Sequence, residues 1–300
     1  MSDEADSSDL DGTITWRALL AETKSRLEQS GASDNPTREA RWIVEEVTGA
    51  EGEEFTEVLD SLATTRGVAK LDALVGRRSS GEPIQYVLGH WPFRTVDLLV
   101  DQRVLIPRPE TEVVAGLALD EFDRVCPSGA GIAVDMGTGS GALGLSIAVE
   151  RPHAQVVLTD SSADAIAVAR ANLAGLGRAA RTVEIAEGSW FGALPDRYRG
   201  VCDVIVSNPP YIGADEHLPD SVANWEPRSA LLAGDDGLAD LLHIVEQVSA
   251  WLKPTGSVVL EMASPQTAIV ASHGERHGFS TSIHSDLAGL SRVVVMRRGE

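Results

Sequence analysis

Two cysteines in 300 residues, Cys126 and Cys202, are too few for a disulfide framework or a four-thiolate zinc site. Both read as small buried apolar residues. No apolar run approaches the roughly 20 residues that span a bilayer. The opening MSDEADSSDLDG is acidic and polar where a secretory signal would be basic and then apolar. Positive charge is scarce as well: 25 Lys and Arg stand against 45 Asp and Glu, a formal net charge of −20. That balance removes any global attraction to nucleic-acid phosphates. What is present, 43% hydrophobic and 23% charged residues, is the composition of a globular chain with length for one or two domains. The expectation is a cytoplasmic protein, outside the membrane, with no direct nucleic-acid binding.

The acidity is uneven, with 16 Asp and Glu against 5 Lys and Arg in residues 1–60. A solvated surface plus a loose tail accounts for it; an acidic face for a basic partner is the alternative. Residues 1–12 read as a disordered leader. Trp16, Leu19, Leu20 and Leu27 fall near one helical face, with Gly31 as the stop. Pro36 to Thr48 predicts a second helix, and Val68, Leu71, Leu74 and Val75 mark another. With no strand alternation between them, residues 13–80 are expected to be a small helical domain. Residues 81–109 mix β-branched residues with Gly and Pro, which suits a linker of short strands or a hairpin.

From residue 110 onward strands and helices alternate. Strands are expected at Ile132–Asp135, Val156–Asp160, Thr182–Ala186, Val201–Ser207 and Gly256–Met262, with helices at Gly141–Glu150, Ala163–Leu176 and Leu238–Leu252. That order predicts an α/β fold with a parallel, doubly wound sheet and right-handed crossovers. Phe279–Ser285 and Arg292–Arg297 follow with no helix between them and should pair antiparallel. By analogy, such an ending suits a class I methyltransferase (Rossmann-like) sheet better than a dinucleotide dehydrogenase.

Ile132 to Gly141 runs from an apolar strand through Asp135-Met-Gly137-Thr138-Gly139-Ser140-Gly141 into a helix. Glycines let a backbone take positive φ and approach a ligand closely, and a strand's carboxyl end is where open α/β sheets bind ligands. Gly139 to Gly144 also spells G-x-G-x-x-G, so a nicotinamide reading stands beside S-adenosylmethionine, and a tight turn without ligand is the plain alternative. A carboxylate at Asp135 suits a cationic methionine end better than a pyrophosphate. Asp160, 25 residues later, can accept two ribose hydroxyls or act with Ser161 or Ser162 at a helix start. Trp190 offers a flat face for adenine, or is simply core.

Asn208-Pro209-Pro210-Tyr211 ends the fourth strand. Successive prolines fix the turn, leaving the Asn208 side-chain oxygen and the Pro209 carbonyl as two acceptors for one planar –NH2 group, with Tyr211 over its face. Two such acceptors orient a poor nitrogen nucleophile toward an electrophile. A strand-ending turn is the bland reading of the same residues.

The glycine loop and Asn208–Tyr211, with Glu82–Gly89, Val104–Glu112, Glu226–Leu231 and Asp236–Leu238, resemble the HemK-like family of peptide chain release factor glutamine methyltransferases. The similarity runs over roughly residues 15–298. It implies methyl transfer from S-adenosyl-L-methionine, giving S-adenosyl-L-homocysteine, to the side-chain amide nitrogen of a glutamine in a Gly-Gly-Gln motif of release factors. The resemblance further implies cofactor contacts at Gly137, Thr138, Gly139, Ser140, Gly141, Asp160, Trp190 and Asn208, and a substrate grip at Asn208 to Tyr211. Residues 13–80 would recognise the substrate, and no metal is implied. Ser189 stands where many members carry an acid, and Ala263 where a glycine is usual. A ribosomal-protein glutamine methyltransferase is the near alternative. A DNA adenine methyltransferase, which the −20 charge disfavours, and a non-catalytic cofactor-binding protein are more distant. His273 and His277, four apart but beside Gly274 and Gly278, are expected to face solvent rather than bind metal.

Overall fold

Thr15 begins the first helix by a local exchange that its side chain permits. Its hydroxyl accepts from the Ala18 N–H at 3.4 Å, and α1 (Trp16–Ser30) ends at Gly31, whose φ of 66° lets its N–H return to the Glu28 carbonyl. The same grammar bounds α2 (Pro36–Thr48): Asn35 caps it, Pro36 opens it and Gly49 closes it at φ 70°. The computed structural model describes residues 11–298. Residues 1–10 of the expected leader lie outside the described residues.

The chain divides into two units, Met1–Gly89 and His90–Glu300. In the first, α3 (Gly52–Val58), α4 (Thr65–Ser79) and α5 (Ile84–Leu88) join α1 and α2. Leu27, Ile43, Leu71, Val75, Ile84 and Val87 share one apolar core. Two expectations are corrected here. β1 (Asp11–Thr15) pairs antiparallel with β2 (Leu62–Thr64), so strands do interrupt the helices and Asp11-Gly12 belong to a strand. Residues 84–88 form a helix rather than an extended linker. The pull of the shared core on Ile84 and Val87 outweighs the strand preference of the local sequence. Glu39 and Arg78 form a buried ion pair at 2.7 Å, with both side chains 9% exposed.

The second unit opens with a hairpin, β3 (His90–Phe93) and β4 (Val96–Leu99). Residues 104–107, expected as strand, are irregular. Their hydrogen bonding goes to a distant side chain instead, the Ile106 N–H donating to Glu226 Oε2 at 3.1 Å. Next come α6 (Pro109–Val125), β5 (Ile132–Met136), α7 (Ala142–Glu150), β6 (Gln155–Asp160), α8 (Ala163–Gly175), β7 (Val183–Glu187) and β8 (Cys202–Ser207). The chain ends with α9 (Asp220–Ala223), α10 (Ala239–Val248), β9 (Leu252–Glu261), α11 (Thr267–Arg276), β10 (Phe279–Ser285) and β11 (Ser291–Arg298).

Seven strands form one sheet in the order β10-β11-β9-β8-β5-β6-β7. Pairing is parallel from β9 through β7, and β11 runs antiparallel between β9 and β10. Val134, Met136, Ile205, Val258 and Leu260 face a core shared with α10 and α11. Alternate residues face the other side, where Gly144 of α7 sits so close that a Cβ would fall 2.0 Å from Leu158 and 2.9 Å from Asp135. Burial on both faces explains the continuous apolar strands. Glu121, 4% exposed, ties α6 to β9 and β11 by accepting from Ser257 Oγ at 2.6 Å and pairing with Arg297 at 2.5 Å. Cys126 and Cys202 are both buried.

Candidate active site

The chain runs outward from β5 to β7 on one side, then returns to place β8 on the other side of β5. A reversal of that kind opens a crevice at the carboxyl ends of the two strands. Asp135 pairs with Val206 and Met136 with Ser207 across it, so the glycine loop after β5 and Asn208 after β8 emerge side by side. A cavity of about 330 Å³ lies there.

Its floor is the loop from Asp135 to Gly141. Gly137, Gly139 and Gly141 take φ of 70°, 54° and 93°, values that side chains rarely adopt. The N–H groups of Gly137 and Thr138 donate to the Thr159 carbonyl at 2.8 and 2.9 Å. Asp135 is 1% exposed; its Oδ2 accepts from the Thr138 hydroxyl at 2.6 Å and the Gly144 N–H at 2.9 Å. Its Oδ1 is buried without a hydrogen-bond partner. Burial pushes the Asp135 carboxyl up to about 6, against the pull of Thr138 and Gly144. A buried acceptor left unpaired at a cavity wall is a place for a donor, and a cationic one relieves the burial cost best.

Asp160 closes the next strand. Its Oδ2 accepts from the Gly139 N–H and its Oδ1 from the Ser162 N–H, each at 2.9 Å. Those two bonds fix the carboxylate and leave each oxygen a further lone pair. Ser162, not Asp160, is the side-chain cap of α8. Trp190 carries a φ of 44°, which is strained for a bulky residue. Its indole N–H reaches Asp240 Oδ1 at 3.1 Å, and a Cβ on Gly137 would stand 3.7 Å from its ring. The ring borders the cavity and packs on its other side against the core.

Asn208 is half-buried, and its Nδ2 donates to the Thr111 hydroxyl at 3.4 Å. Asp135, Gly137, Thr138, Gly139, Ser140, Asp160, Trp190, Asn208 and Pro210 all line the cavity. Gly141, Pro209 and Tyr211 are not among its lining residues. Gly141 is the N-cap of α7, and the Tyr211 phenol turns to Glu261 Oε1 at 3.4 Å rather than over the cavity.

Sequence reasoning missed several groups that hold this site together. Glu226, 5% exposed, pairs with Arg108 and takes the Ile106 N–H, joining two segments that both border the cavity. Asn172 on α8 donates to the Ser140 carbonyl at 2.8 Å and brackets Leu99 through its N–H and carbonyl, so the β3–β4 hairpin is tied to the glycine loop. Glu261 lies 2% exposed behind Asn208–Tyr211. The Ile106–Glu112 and Glu226–Leu231 motifs pointed to these places, but partner identity depends on long-range topology. His273 is only 13% exposed rather than solvent-facing, its ring 4.4 Å from that of His277. Among the described residues no cluster of three or more His, Cys, Asp or Glu could hold a metal ion.

A mostly parallel seven-stranded sheet with one reversed strand, a glycine loop after its first strand and a carboxylate ending the next define a class I methyltransferase. Residues 18–89 match the family model described as PrmC N-terminal domain, and residues 117–224 match Methyltransferase small domain. The release factor glutamine methyltransferase of Salmonella typhimurium is 38% identical over 268 residues, covering 88% of this chain and 93% of that protein. That of Agrobacterium fabrum is 35% identical over 291 residues, covering 96% and 99%. The chain belongs to the release factor glutamine methyltransferase family. A methyltransferase from Pyrococcus furiosus, 18% identical, shares the fold with a TM-score of 0.50 over 69% of this chain and 91% of its own.

Proposed function

We propose that this protein methylates the side-chain amide nitrogen of a glutamine, within a Gly-Gly-Gln motif, of peptide chain release factors in the cytoplasm, using S-adenosyl-L-methionine. The observation that carries the reading is the Asn208 amide at the switch-point cavity, its nitrogen engaged by Thr111 behind it and its oxygen left as an acceptor. S-adenosyl-L-methionine, when bound, supplies a methyl group on a positively charged sulfur. Asp135 Oδ1 would take the ammonium of its methionine end, Asp160 the ribose hydroxyls and Trp190 the adenine face. No metal is needed for such a transfer.

Asn208 Oδ1 would accept an N–H bond of the substrate amide and orient its nitrogen for transfer; the Pro209 carbonyl, the second acceptor expected from the sequence, does not line the cavity. Transfer of the methyl group to that nitrogen would leave S-adenosyl-L-homocysteine as the product. One amide proton then leaves to water. Because the proton departs after transfer, positioning and desolvation matter more than a strong base. The helical unit is the reading's candidate for release-factor recognition.

Asn208→Ala should lower single-turnover methylation of release factor by about 10²–10³, the usual cost of one positioned transition-state hydrogen bond. Cofactor affinity should fall much less. Asn208→Asp should bind cofactor and react slowly, since a carboxylate stabilises the cationic state that must be discharged. Wild-type rates in both folded variants would reduce Asn208–Tyr211 to a turn.

A further inference from the structure

Three carboxylates, those of Asp135, Asp160 and Asp240, line the switch-point cavity. Arg103 lines it too, but its guanidinium is held by Asp101 at 2.6 Å. S-adenosyl-L-methionine carries three sets of strong hydrogen-bond donors: an ammonium, two ribose hydroxyls and the 6-amino group of adenine. The first two fall to Asp135 and Asp160 in the proposed function. Asp240 and the amino group remain, and position brings them together.

The base is bonded to the ribose, so it lies next to whatever holds the ribose. The Gly188 N–H donates to the Asp160 carbonyl at 2.9 Å, which starts the segment carrying Ser189 and Trp190 at that point. From the first turn of α10, Asp240 Oδ1 accepts the Trp190 indole N–H at 3.1 Å. A carboxylate at the rim of a flat ring meets the edge of a base laid on that ring. The indole fixes one oxygen, and Oδ2 accepts from no described residue. Burial raises the Asp240 pKa, opposed by the indole N–H and by His243. Its place in the first turn of a helix favours the ionised form. Ser189 lines the same cavity, but a hydroxyl donates as well as accepts and suits an amino or an oxo group alike. An ionised carboxylate only accepts.

We propose that Asp240 is the acceptor for the 6-amino group of the cofactor's adenine and makes the cavity selective for an amino purine. The inference rests on the proposed use of S-adenosyl-L-methionine and adds the residue that reads its base. A purine without the amino group leaves Asp240 Oδ2 without that partner.

Calorimetry on the full chain at neutral pH tests it, with two ligands. One is S-adenosyl-L-homocysteine; the other is its analogue with hydrogen in place of the 6-amino group. The wild type should prefer the adenine ligand by about tenfold, the lower end of what a hydrogen bond to a charged group contributes. Asp240→Ala should lose about that factor for S-adenosyl-L-homocysteine and keep the wild-type affinity for the analogue, so that the preference vanishes. Asp240→Asn retains an acceptor oxygen without the charge and should keep only part of the preference, which carries the test if Asp240→Ala does not fold. A wild type without preference, or the full wild-type preference in the folded variants, would overturn the assignment. Equal weakening of both ligands in Asp240→Ala would also overturn it, leaving Asp240 as an anchor for the Trp190 ring alone. A wild type that binds neither ligand would instead overturn the proposed cofactor use itself.

Discussion

At the scale of single residues, Asp135 does what its neighbours in the sequence do not announce. The carboxylate before the glycines was legible as a site residue, but its half-satisfied state depends on α7 closing over it. Gly144 approaches so closely that its N–H bonds Oδ2 while Oδ1 stays unpaired. With burial holding the carboxyl at about 6 in the free protein, only the ionised form can pair with a cationic ligand. Affinity for S-adenosyl-L-methionine should therefore be flat above that value and weaken below it, approaching tenfold per pH unit. Asp135→Asn should bind more weakly at neutral pH and lose this dependence. Calorimetry between pH 5 and 7.5 checks both, and an acid-insensitive wild-type affinity would show that Asp135 makes no such contact. Tyr211 is the opposite lesson. Its place in the motif suggested a lid over the substrate amide, yet its phenol is drawn to Glu261, a residue fifty positions later on the neighbouring strand. No spacing rule conveys that.

At the scale of elements, the sheet was readable because buried parallel strands are short continuous apolar runs. The strand ends at Asp160 and Ser207, and the antiparallel pairing of β10 with β11, agree with what the runs predict. Residues 84–88 and 104–107 were not readable: Pro-Ile-Gln-Tyr-Val-Leu and Val-Leu-Ile-Pro look alike, yet one coils into a shared core and the other hangs on Glu226. Helix α6 buries Val114, Ala115, Ala118, Leu119 and Phe122 at helical spacing, and an ion pair adds to its hold on the sheet. Glu121 shows how. Although burial raises its pKa, Arg297, Ser257 and Arg124 bring it down to about 2 from 4.5. A depressed folded-state value contributes stability above the unfolded pKa that is lost as pH falls from about 4.5 toward 2. Each pH unit of difference is about 1.4 kcal/mol, so the contribution at neutral pH is roughly 3 kcal/mol. Glu121→Gln should lower urea-unfolding stability at pH 7 by that order and flatten its decline between pH 5 and 3. An unaltered acid limb would place the linkage elsewhere.

At the scale of the whole molecule, each unit has its own core, one gathered around Leu27, Ile43 and Val75 and one around the seven-stranded sheet. The break falls at Gly89 and His90. A cut at residue 110 would remove the β3–β4 hairpin that Asn172 ties to the glycine loop, and the Arg108 partner of Glu226. Residues 90–300 expressed alone should therefore keep cofactor affinity and lose methylation of intact release factor. Full activity in that piece would remove the helical unit from recognition. The net charge of −20 disfavours a nucleic-acid substrate, in keeping with the proposed protein target. The most direct measurement is to incubate the full chain with methyl-labelled S-adenosyl-L-methionine and purified release factor, and to map the label by peptide mass spectrometry. The account predicts one label, on the side-chain amide nitrogen of the glutamine in the Gly-Gly-Gln motif. An unlabelled release factor, or label on any other residue, would contradict it.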